Sequence, residues 1–400
     1  MRMMIKPFLA VLLFFTVSAE AVEINCDADS VFVRDARIEV KPSNGDDTAA
    51  IQCALQEAAR VGVQSVRLLS GSFSISELSV SKFTGQFVGS GRTNTQLTVG
   101  SPCPEDGKQN KLPGAISFAN GNVEIRNMTI SRSGNCPAAY DALFWFTGSA
   151  ENCDQRTVFA NVDRVDVASL PNDDDTAIIN VSRPAACSDS SPAMTGALRV
   201  NRLNYVSTGA NAGIFAAMVG DASIAISNSK IDSSNCFTLF GKSVASVVMR
   251  NNTCKFSDYA VSASIDTNEQ TQFSLQDNVF EATGAIANTA VDLSASNGSH
   301  TVTGNKLITK ADAGSTAPIG LLGVSDGYVA RNTFEGKAVH AVTVGDSTVL
   351  TDNSFDLTAT DGDISSYVPG CPSGLIIGAQ QASFSGTFCS QNDAIIADQK

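Results

Sequence analysis

The chain predicts an all-β fold, a right-handed parallel β-helix of stacked three-strand coils. Three observations lead there. A phrase of apolar, any, apolar, any, polar, Asn, any, apolar recurs as VVMRNNTC, FSLQDNVF, HTVTGNKL, GYVARNTF and TVLTDNSF. Its Asn positions, Asn252, Asn278, Asn305, Asn332 and Asn353, are separated by 26, 27, 27 and 21 residues. Within each phrase the apolar residues alternate, which is the period of a half-buried strand. A repeat of this length is one structural unit stacked many times.

The elements follow in chain order. Residues 1–6 carry two positive charges, residues 7–17 are apolar, and Ala19-Glu20-Ala21 is a small-x-small cleavage site. Residues 1–21 therefore predict a secretory signal peptide, and residues 22–400 a single β-helix domain. No stretch reaches the ~18 apolar residues of a membrane span, so no membrane insertion of the mature chain is expected. Asp46 and Asp47 precede AAIQCALQEAAR, whose apolar residues have helical spacing. A coil stack has open ends that invite edge pairing, so we read 46–61 as a helix capping the first coil. Beyond it every repeat holds the Asn phrase and a second apolar run, such as AGIFAAMV or YAVSASI, with no room for a helix. The repeated Asn fits a buried amide at a bend, donating to one neighbouring coil and accepting from the other.

Charged residues are 17% and hydrophobic ones 43%, a globular composition. The net charge of −13 argues against a nucleic-acid partner and repels polyuronates unless Ca2+ bridges. All 10 cysteines lie beyond the leader, an even number that favours disulfides in an exported chain. Proximity along the chain pairs Cys26 with Cys53, Cys103 with Cys136, Cys153 with Cys187, Cys236 with Cys254, and Cys371 with Cys389. Cys254 also occupies an inward strand position, where a buried thiol would fit equally well.

The series DDTAAIQCALQEAA, LLSGSFSISELSV and FVGSGRTNTQL resembles the opening of the pectate-lyase-like superfamily of right-handed parallel β-helix proteins. The resemblance covers about residues 40–135 by motif and the remainder by repeat. It implies a fold and leaves function open, because the superfamily includes lyases, hydrolases, epimerases and non-catalytic stalks. In such proteins the groove follows the strand after the third turn, here the second apolar run of each repeat.

Acidic residues start that strand in two early coils: Asp141 in AYDALFWF, and Asp173, Asp174 and Asp175 in PNDDDTAII. Carboxylates on adjacent coils repel one another unless they share a proton or a cation. Asp141, Asp174 and Asp175 are similar to the aspartates of polygalacturonases, which implies acid and base roles in an inverting hydrolysis. The G-H-G and R-I-K strands of that family have no counterpart; the later groove strands offer only Lys242 for substrate binding. A lyase reading instead assigns Ca2+ to Asp173 and Asp174. Trp145, beside Asp141, is the single tryptophan and a candidate sugar-stacking ring. The expected partner is thus an extracellular polysaccharide, bound or processed, with a non-catalytic surface or matrix protein as the alternative.

Overall fold

The computed structural model describes residues 23–389 apart from 27–28, 101–113, 134–140, 150–152, 155–156, 170–176, 185–186, 188–193, 207–211, 220–221, 243, 245, 267–271, 285–288, 295–297, 299, 310–319, 338–339, 346, 359–365, 369–375, 378–379 and 383–386. The predicted leader and the Asp173–Asp175 run lie outside the described residues, as do Cys103, Cys136 and Cys371.

The described residues form a parallel β-helix capped by one helix, Thr48–Val61. The expected helix start divides its work between two aspartates. Asp46 Oδ1 accepts the Thr48 N–H at 2.9 Å and the Thr48 hydroxyl, satisfying an orphan donor of the first turn. Asp47, 1% exposed, turns away from the helix and accepts the Ser43 N–H at 2.8 Å and the Ser74 N–H at 3.0 Å. It thereby ties the helix start to the first coil. Ile51, Ala54, Leu55 and Ala58 are buried against that coil. Gly62 ends the helix at φ 74°, a left-handed conformation that glycine adopts without a Cβ clash. The Cys26–Cys53 disulfide pins the preceding segment to the helix.

Near the helix end, Arg60 lies 2.6 Å from Glu57. Its guanidinium, and then the Asn25 N–H, hold the Glu57 carboxyl down at about 2. A depressed carboxylate contributes stability that is present above its ordinary value of 4.5 and is lost as pH falls toward about 2. Arg60 is largely exposed, so screening keeps the contribution small. Glu57→Gln should therefore flatten the acid limb of a melting-temperature profile in that window. An unchanged limb would assign the acid sensitivity to other carboxylates.

Each coil contributes one strand to a ten-stranded parallel sheet, running in chain order from Leu78–Ser81 to His340–Val344. The other two strands of each coil join into a 24-stranded sheet that bends between them. At nine coils the bend is a single residue with φ between 52° and 68°: Asn127, Arg164, Arg202, Asn228, Asn251, Asp277, Gly304, Arg331 and Asp352. Six of these are Asn, Asp or Gly, the types that enter the left-handed region most readily. The residue after the bend points inward. It is Met128, Val165 and Leu203 in the early coils, then Ser229, then the repeated Asn. The bend thus sits one residue before the position that the repeated Asn suggests.

The buried amides form the expected ladder. Asn278 Nδ2 donates to Asn305 Oδ1 at 2.9 Å and to Met249 O at 2.9 Å, while the Asn278 N–H donates to the same Oδ1 at 2.9 Å. The pattern repeats from Asn252 to Asn353, and Ser229 begins it by donating its N–H to Asn252 Oδ1. Phe334 and Phe355 stack at 4.9 Å inside, whereas Phe280 packs in register between Cys254 and Leu307. Cys236 bonds Cys254, so the open alternative of a buried thiol at 254 is settled, and Cys153 bonds Cys187. No helix among the described residues is long and apolar enough to cross a membrane.

Candidate functional site

The site is built on the outer face of the ten-stranded sheet. Strand alternation sends Phe144, Ile179, Ile214, Phe237 and Val261 into the core in one register row. The adjacent row, one residue on, faces out: Ser117, Trp145, Asn180, Phe215, Thr238, Ser262 and Asp292. Successive rungs of a sheet lie about 4.8 Å apart, so this row is a strip of neighbouring side chains.

Trp145 is half-buried and donates from Nε1 to Ser182 Oγ at 2.9 Å, which fixes the indole plane. Phe215 packs against Phe240 with ring centroids 5.5 Å apart, and Phe240 stays 42% exposed. Between the Trp145 and Phe215 rungs lies Asn180, whose buried Oδ1 accepts no hydrogen bond from any described residue. Farther along, Thr238 and Tyr259 share a 2.8 Å hydroxyl contact. Burial pushes the Tyr259 phenol up, so it keeps its proton at neutral pH. Asp292 accepts the Ser294 N–H at 2.9 Å. The strip combines half-buried aromatic rings with hydroxyl, amide and carboxylate groups.

Asp141 immediately precedes the Ala142–Thr147 strand and is half-buried; its carbonyl accepts the Ala177 N–H at 2.9 Å. Ala142 registers with Ala177, so the Asp173–Asp175 run leads into the strand stacked directly on the Asp141 coil. Lys242 ends the Asn235–Lys242 strand, and its side chain lies outside the described ones. It is eight residues along the strand direction from the Asp141 level, about 26 Å. Asp141 and Lys242 therefore stand toward opposite ends of the strands, with the level of Trp145 and Phe215 between them. At the lowest strand Glu77 adjoins Leu78, and burial pushes its carboxyl up. Among the described residues no three His, Cys, Asp or Glu side chains group in a way that could hold a metal ion. His300 is packed, 0% exposed, edge-on to Phe273 at 5.2 Å and 3.0 Å from Ser325 Oγ.

Trp145 was visible in the sequence because it stands alone. Asn180, Phe215, Phe240 and Tyr259 were not; they are ordinary strand residues until the coils stack. Their signal would have been the outward register shared with Trp145.

No family model matches the chain, and no curated protein matches it. Among solved structures, the mannuronan C-5 epimerase AlgE6 A-module of Azotobacter vinelandii is similar at 13% identity and a TM-score of 0.32, covering 84% of this chain and 96% of that one. PfbA, a surface adhesin of Streptococcus pneumoniae, is similar at 13% identity and a TM-score of 0.31, covering 80% of this chain and 88% of that one. Superposition this loose leaves the fold resting on the strand register itself. With its capping helix, three-strand parallel coils and buried asparagine ladder, the chain has a parallel β-helix fold.

Proposed function

We propose that the protein is exported and binds an extracellular polysaccharide along the outer face of the ten-stranded sheet. The observation that carries this reading is the row Trp145, Asn180, Phe215 on three consecutive rungs, with the buried Asn180 Oδ1 lacking a hydrogen-bond partner among the described residues. Sugar rings offer apolar faces to stack on such rings and hydroxyls that would complete the amide. The disulfides suit an oxidising compartment. A net charge of −13 favours a neutral glycan over a polyuronate.

Processing is the finer reading. Asp141, Asp174 and Asp175 would serve as acid and base, or Asp173 and Asp174 would hold Ca2+ for a lyase. The non-catalytic alternative is favoured by the later rungs of the row, where Ser262, Gly323 and Thr343 carry no ionisable group and Asp292 is the one carboxylate of the four.

Incubation with a panel of soluble polysaccharides, with and without chelator, read by mass spectrometry and by gel retardation, separates these. Retardation that weakens roughly tenfold in Trp145→Ala is expected for the binding reading. New reducing ends that vanish in Asp174→Asn would establish a hydrolase. Unsaturated products that need Ca2+ would establish a lyase. Retardation without products would establish the binding protein, and no retardation by any glycan would overturn the proposal.

A further inference from the structure

A cleft of about 820 Å³ opens on the outer face of the larger sheet, away from the Trp145 groove, across the strands Asn122–Ser133, Thr157–Ser169, Thr195–Asn201 and Ser223–Ser227. Two register rows cross it. In one, Asn122, Phe159 and Ala197 superpose; in the other, Glu124, Asn161 and Arg199 do. An aromatic ring on the middle rung therefore has a carboxylate, an amide and a guanidinium beside it on three consecutive rungs.

Phe159 is 45% exposed, while its chain neighbours Val158 and Ala160 are each 3% exposed in the core. Alternation alone explains why position 159 faces out; it does not explain a phenylalanine there, since exposed apolar surface is unfavourable. The next rung places Ala197 above it, and a methyl group leaves the ring face open. The polar row is partly fixed and partly uncommitted. Glu124 receives a hydrogen bond from Gln86 Nε2 at 2.8 Å and lies 3.7 Å from Arg126. The side chains of Asn161 and Arg199 have no hydrogen-bond or ion-pair partner among the described residues.

A pyranose ring needs this combination: an aromatic face for its C–H surface, and mixed donors and acceptors for the hydroxyls around its rim. The volume lies within the usual range for small-ligand sites. We propose that this cleft is a second carbohydrate subsite, with a sugar ring stacked on Phe159 and its hydroxyls bonded to Glu124, Asn161 and Arg199. The proposal stands on a different sheet and on different residues from the Trp145 groove.

The test titrates the full chain with soluble hexasaccharides of glucose, mannose, galactose and N-acetylglucosamine by calorimetry, alongside Phe159→Ala, Arg199→Ala and Trp145→Ala. Melting curves of the first two should match wild type, because Phe159 is half-exposed and Arg199 is exposed. At least one hexasaccharide should lose affinity roughly tenfold or more in both Phe159→Ala and Arg199→Ala and keep that component in Trp145→Ala. Loss in Trp145→Ala alone would overturn the second subsite and leave the groove reading intact. Loss in the cleft variants alone would support the subsite and count against the groove. Absence of any binding would overturn both.

Discussion

Asn305→Ala should destabilise the fold by about 3 kcal/mol, because several buried groups each lose a hydrogen bond at once. The Asn305 side chain is 1% exposed. Its Oδ1 accepts the Asn278 N–H and Nδ2 at 2.9 Å each, and its Nδ2 donates to Leu275 O at 2.8 Å and Asn332 Oδ1 at 3.0 Å. Truncation orphans the buried Asn278 N–H, takes a hydrogen bond from the Leu275 carbonyl, and cuts the ladder in two. Asn305→Asp should fail as well, since a carboxylate cannot donate and its charge would be buried. Asn251→Gly, at the bend residue with φ 55°, is the control. It removes no buried partner and should change stability by less than about 1 kcal/mol. Urea unfolding measures all three. An Asn305→Ala loss below roughly 0.5 kcal/mol would mean that water reaches the bend and that the ladder is not a buried network.

Replacing Cys236 and Cys254 together by Ala should cost about 3 kcal/mol, the loop-closure contribution expected for a separation of 18 residues. The bond links the start of the Asn235–Lys242 strand to an inward position of the Thr253–Phe256 strand in the next coil, which stacks on Lys230–Asp232. Reductant should shift the wild-type urea midpoint further than that of the double-alanine variant. Peptide mapping without reduction should recover the 236–254 crosslink; recovery of both cysteines as alkylated thiols would refute the pairing. Cys254 lies two residues from Asn252, so its effect and that of Asn252→Ala should not add.

Much of the architecture was legible because it is periodic. Alternation separated core from surface, and the capping helix was expected over 46–61 and runs Thr48–Val61. Proximity sufficed for the three described disulfides because each pair spans about one coil or less. The bend itself was misplaced by one residue. A left-handed φ leaves a readable trace where Asn, Asp or Gly takes it, but Arg164, Arg202 and Arg331 adopt it too. The Asn that looked like the bend is instead the buried partner that the bend aims inward.

The candidate site divides in the same way. Repeat length, strand period, the lone Trp145 and the acidic starts at Asp141 and Asp173–Asp175 are properties of the chain order and needed no coordinates. Which outward residues become neighbours is a property of coil register. Trp145, Asn180 and Phe215 are separated by 35 residues each, and Asn122, Phe159 and Ala197 by 37 and 38. Those separations differ from the 26 and 27 of the later repeats because turns of different length intervene. Hydrogen bonding between rungs sets the register whatever length the turn has, so tertiary structure alone decided that aromatic and polar side chains meet on two different faces.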